Sequence, residues 1–107
     1  MRAKSLMLGG LGLMLALSGT AYAQGDAEAG ERKATACMGC HGVDGYRNAY
    51  PAYRVPRIGG QHGDYLVAAL KQYQAGERAH STMHAQAEEL SDQDIQDIAA
   101  YFARQKQ

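Results

Sequence analysis

Cys37-Met38-Gly39-Cys40-His41 places two thiols three positions apart and an imidazole directly after the second. On one turn of helix, positions i and i+3 share a face. Both sulfurs then point the same way, and His41 follows on the same side. This is C-x-x-C-H, the attachment sequence of c-type haem: the two thiols bond the vinyl groups along one porphyrin edge, and the histidine sends a ring nitrogen to the iron. Two other chemistries use these residue types. A thiol–disulfide couple also reads C-x-x-C, but it opens a helix after a strand in a βαβ setting, and no such pattern precedes Cys37. A structural zinc site needs a further ligand from His62, His80 or His84, and its thiolates oxidise readily outside the cytosol. Haem attachment is the expectation.

The opposite axial position of such an iron is narrowed by elimination. Of five methionines, Met1, Met7 and Met14 lie in the N-terminal segment 1–23, which is expected to be removed, and Met38 sits inside the attachment loop on the wrong side. Met83 remains, between two expected helices in a polar stretch that otherwise gives an apolar side chain little to do. The alternatives are that Met83 fills a gap in the core, or that His62, His80 or His84 completes a bis-histidine iron. A thioether sulfur raises the haem potential relative to imidazole, so the choice bears on function.

The N-terminus reads as an address. Arg2 and Lys4 precede an apolar stretch from Leu6 to Leu17, and Ala21-Tyr22-Ala23 supplies small residues at the −3 and −1 positions of a cleavage site. That is the layout of a secretory signal peptide. The stretch is shorter than the roughly 20 residues that span a bilayer, and it contains Gly9, Gly10 and Gly12. Residues 1–23 are therefore expected to be removed, leaving 24–107 as one domain in the periplasm. The full chain of 107 residues has eleven basic and eleven acidic side chains. Losing Arg2 and Lys4 leaves nine against eleven, a net charge of −2. Such a balance lacks the basic surplus of a nucleic-acid binder. At 84 residues, with one Phe and no Trp, a domain has little core of its own and usually carries a staple. A cofactor held by two covalent bonds would be one.

The elements that must position these groups read as three helices joined by loops, with no strands. The first is expected from about Asp26, its N-cap, to Cys40, with Glu28 and Glu31 in the first turns. Gly42, Asp44-Gly45, Pro51, Pro56 and Gly59-Gly60 mark irregular backbone up to His62. The second helix is expected from near Asp64 to a C′ glycine at Gly76, with Leu66, Ala69, Leu70 and Tyr73 on its inner face. Glu77 to Leu90 reads as polar loop. The third starts at Ser91, which forms a capping box with Asp94, flanked by a Leu90/Ile95 staple. It buries Ile95, Ile98, Ala99 and Phe102.

Taken together these residues resemble the class I cytochromes c, and within them the c4-like or c553-like bacterial group. The likeness runs from Asp26 to about Gln105. It includes Cys37, Cys40 and His41, Pro56-Arg57-Ile58-Gly59-Gly60-Gln61, Tyr65-Leu66, Tyr73-x-x-Gly76-x-Arg78, Met83, Leu90 to Ile95, and Ile98 to Phe102. The resemblance implies an all-α fold of three main helices around one covalently attached haem c, with Met83 as axial ligand opposite His41. It also implies that the Pro56 carbonyl accepts from the His41 Nδ1–H, and that Gly30 and Tyr101 form the crossing of the first and last helices. Tyr50, Arg54, Arg57 and Gln61 lie where the chain would pass the haem rim, where Tyr50 or Arg57 can hydrogen-bond a propionate; a solvated loop accounts for them equally well.

An iron closed by His41 and Met83 has no open position, so the expected function is one-electron transfer between a redox-protein donor and acceptor, with no small-molecule substrate and no catalytic residue. The resemblance also admits a cytochrome subunit of a redox enzyme, such as a flavocytochrome sulfide dehydrogenase. A haem with a displaceable sixth ligand, sensing or catalytic, is the third reading.

Overall fold

The computed structural model describes residues 25–106. The expected signal peptide lies outside the described residues. Among those described there are five helices and one hairpin: α1 (Ala27–Lys33), α2 (Thr35–His41), β1 (Arg47–Ala49), β2 (Ala52–Arg54), α3 (Gly63–Ala75), α4 (Ser81–Ala87) and α5 (Asp92–Ala103). No helix among them is long and apolar enough to cross a membrane.

The last helix forms where its start signals put it. Ser91 Oγ accepts from the Asp94 N–H and an Asp94 carboxylate oxygen accepts from the Ser91 N–H, both at 3.0 Å. α3 ends as expected at Gly76, whose φ of +76° lets the chain reverse while the Gly76 and Glu77 N–H groups bond the carbonyls of Tyr73 and Gln72. Asp26 caps α1 through the N–H groups of Glu28 and Ala29.

Three expectations change. The single first helix is two, because the chain breaks at Ala34 (φ −83°, ψ 3°). Ala34 itself is fully buried in the core, and the break separates α1 from α2, which bears both cysteines and His41. The stretch read as polar loop holds α4, capped by the His80 ring rather than by one of the common capping side chains. The segment after Gly45 is not irregular throughout. β1 and β2 pair antiparallel, Arg47 with Arg54, Asn48 with Tyr53 and Ala49 with Ala52, around a cis Tyr50–Pro51 peptide.

The core is small. Ala34, Leu66, Ile98, Ala99 and Phe102 form one buried cluster, with Cys37, Ile58, Leu70 and Leu90 packed against it. α1 crosses α5 at Gly30, which is buried and leaves no room for a side chain: a Cβ there would lie 2.6 Å from the Asp97 carbonyl carbon and 2.9 Å from Tyr101 Cβ. Asp97 is 2% exposed and fully engaged. One oxygen accepts from the Asp26 N–H (2.8 Å) and the Gln93 amide (2.7 Å), the other from Lys33 Nζ (2.6 Å). These bonds hold its carboxyl down at about 2, with the Lys33 ammonium the largest cause.

Candidate functional site

A cavity of about 490 Å³ opens between α2, the hairpin, the Val55–Gln61 segment, α3, α4 and α5. It falls within the range of cofactor sites, and its walls are mainly apolar. Leu66, Leu70, Ile98, Ala99 and Phe102 form the inner wall. The burying faces of α3 and α5 thus pack against one another and leave part of each stripe facing this space.

Cys37, Cys40, His41, Pro56 and Met83 all line the cavity. α2 brings the first three together, as the i, i+3 spacing requires. Both thiols are free and half-buried. Burial pushes the Cys37 thiol above its ordinary value, the reverse of the depressed thiol that disulfide exchange uses. Among the described residues no group of three or more His, Cys, Asp or Glu side chains gathers as a metal-holding set.

His41 is oriented by Pro56. Its Nδ1 stands 2.6 Å from the Pro56 carbonyl oxygen. A carbonyl only accepts, so Nδ1 carries the proton, and in the neutral ring Nε2 keeps its lone pair for a metal. The histidine is thereby set in the tautomer that a haem iron needs, and the donor set fits the group.

Met83 lies in the first turn of α4, whose C-terminal half is pinned to α3. His84 Nδ1 donates to the Tyr73 carbonyl at 2.7 Å. The Gln74 amide donates to the carbonyls of Ala87 (3.1 Å) and Leu90 (2.7 Å). Of the three competing histidines, His62 and His84 do not line the cavity, whereas His80 does. His80 Nδ1 accepts from the Met83 N–H at 3.3 Å. A neutral imidazole accepting at Nδ1 carries its proton on Nε2, so while it caps α4 its other nitrogen has no lone pair to give.

Arg54 and Gln61 border the cavity; Tyr50 and Arg57 do not. Tyr50 sits at the hairpin turn with 95% of its surface exposed, and Arg57 turns outward to pair with Asp44. The linear order suggested a chain running along a rim, but the hairpin carries residue 50 away from it. Tyr46 and Tyr53, which no local sequence signal marks, also line the cavity, together with Arg78 and His80. Arg78 lies over the Tyr73 ring, 4.5 Å from its centroid, a pairing foreshadowed by the Tyr73-x-x-Gly76-x-Arg78 spacing.

Comparison with known proteins agrees with this geometry. The cytochrome c family pattern matches residues 27–106. Cytochrome c4 of Pseudomonas aeruginosa is 46% identical over 94 residues, covering 88% of this chain and 45% of that protein. Cytochrome c-554(548) of Halomonas halodenitrificans is 45% identical over 85 residues, covering 77% of this chain and 99% of that protein. A solved cytochrome c4 structure from Acidithiobacillus ferrooxidans superposes with a TM-score of 0.56 at 31% identity, over 77% of this chain and 52% of that one. The chain spans about half the length of the cytochrome c4 relatives it matches. With the family pattern across the whole described domain and a relative matched over nearly its full length, the chain belongs to the cytochrome c family as a c4-like class I member, with covalently attached haem c as its cofactor.

Proposed function

We propose that the protein is a periplasmic one-electron carrier between a redox-protein donor and acceptor, with haem c bonded to Cys37 and Cys40 and its iron held between His41 Nε2 and Met83 Sδ. The observation that carries the reading is the pair of opposed histidine tautomers around one cavity. The Pro56 carbonyl leaves His41 Nε2 free to coordinate, whereas the Met83 N–H occupies His80 Nδ1 and leaves Nε2 of that ring protonated. Haem c, when bound, supplies an iron that exchanges one electron between Fe(III) and Fe(II). The chain's own residues do the rest. Cys37 and Cys40 keep the group in place through turnover, and the Pro56 bond fixes the His41 ring plane and enriches its donor nitrogen. Leu66, Leu70, Ile98 and Phe102 keep water from the inner face. A thioether at Met83 favours the reduced state relative to an imidazole. Export rests on the signal-peptide layout of residues 1–23.

The test is Met83→Ala in the purified holoprotein. Wild type is expected to show a weak far-red sulfur-to-iron charge-transfer band when oxidised and to exclude carbon monoxide when reduced. The variant should lose the band and bind carbon monoxide. A variant with unchanged spectrum and potential would put His80 or His84 on the iron and remove the basis for a methionine-ligated carrier.

A further inference from the structure

The hairpin has no obvious task at the site. Among the described residues its one hydrogen bond to α4 comes from Tyr53, at the centre of β2. The Tyr53 hydroxyl donates to Thr82 Oγ1 at 2.9 Å, across 29 residues of chain. The Tyr53 ring also meets the His80 ring edge-on, with centroids 4.8 Å apart and planes at 81°. Tyr53 therefore grips residues 80 and 82, and His80 in turn accepts from the Met83 N–H. All four side chains line the same cavity. Tyr53 is half-buried while its strand neighbours Ala52 and Arg54 are exposed, so this is the side chain of β2 that the alternation turns inward.

We propose that Tyr53 is a positioning residue for Met83: from the hairpin it holds the first turn of α4, and so sets how readily an external ligand displaces the sixth ligand of the iron. The inference rests on the methionine ligation proposed above. α4 has only seven residues, too few to be stable without tertiary support. Its C-terminal half is tied to α3 through His84 and Gln74, whereas its N-terminal turn depends on the His80 cap and on Tyr53. A net hydrogen bond and an edge-to-face ring pair are each small contributions. They act here on a local opening whose cost is itself small, as such openings are in ligand-bearing segments.

The experiment is an imidazole titration of the oxidised holoprotein, followed in the far-red band and the main haem absorption, for wild type, Tyr53→Phe, Thr82→Val and the double variant. Tyr53→Phe keeps the ring and removes only the hydroxyl, so folding is retained, checked by thermal unfolding. Both single variants should bind imidazole about fivefold more tightly, which is ~1 kcal/mol at 1.4 kcal/mol per tenfold. The double variant should show no further gain, because the two share one bond. Unchanged imidazole affinity in Tyr53→Phe, with the band present in wild type, would overturn the positioning role and leave methionine ligation standing. Additive gains in the double variant would also overturn it, since the hydroxyls would then act separately. A wild-type protein without the band would overturn both.

Discussion

Gly30→Ala should do far more damage than its single methyl suggests. In an isolated helix the change is favourable by about 1 kcal/mol, because alanine is the better helix former. In α1 the new Cβ points into α5, 2.6 Å from the Asp97 carbonyl carbon. Ordinary carbon–carbon contact is about 3.5–4.0 Å, so the two helices must part by roughly 1 Å. The obstacle is backbone, which no rotamer change can move. A gap of that size forfeits a quarter to a half of each contact along the seam, and the overpacking itself costs about 1–3 kcal/mol or more. The same retreat strains the bonds from the Asp26 N–H and Lys33 Nζ to Asp97, at about 1 kcal/mol each. After the propensity gain, a net loss of about 2–4 kcal/mol remains. For a domain of this size that lowers Tm by roughly 10–25 °C, measured by far-UV circular dichroism with the haem attached. Trimming Tyr101→Ala in the same background should not restore stability. A Gly30→Ala protein as stable as wild type, or stabilised by the ~1 kcal/mol of propensity, would refute the close crossing.

Two further outcomes are expected. Because the Asp97 carboxyl lies at about 2 in the folded protein against an ordinary 3.8, its contribution to stability is complete above about pH 4 and is lost as pH falls through 2; denaturant midpoints against pH should fall across that window in wild type, and Asp97→Asn should flatten the fall, whereas parallel curves would remove the linkage. Acidified organic solvent should leave the haem on the polypeptide through Cys37 and Cys40, and a colourless protein pellet would contradict attachment at those thiols.

Local signals in the chain were strongest where one turn of backbone settles the matter. The Ser91/Asp94 capping box, the Gly76 stop and the i, i+3 spacing of Cys37 and Cys40 each involve residues within one turn of each other, and each is found as the sequence reads. The cytochrome c family is equally legible, because C-x-x-C-H and the residues around it carry the chemistry in consecutive positions. The elements that depend on partners elsewhere were not legible. α4 has no stripe of large aliphatic side chains and takes its cap from a histidine. It is held by α3, through the Tyr73 carbonyl and the Gln74 amide, and by Tyr53 of the hairpin. The hairpin has strands of only three residues, too short for alternation to register against the surrounding glycines and prolines. The placement of Tyr50 outside the cavity follows from that hairpin, and that of Arg57 from its pairing with Asp44. Spacing along the chain thus marked Cys37, Cys40 and His41 as candidates for the cofactor chemistry. Which His41 nitrogen faces the cavity, and what the first turn of α4 bonds to, was decided only by tertiary structure, because each depends on a hydrogen-bond partner whose position follows from the packing of other elements.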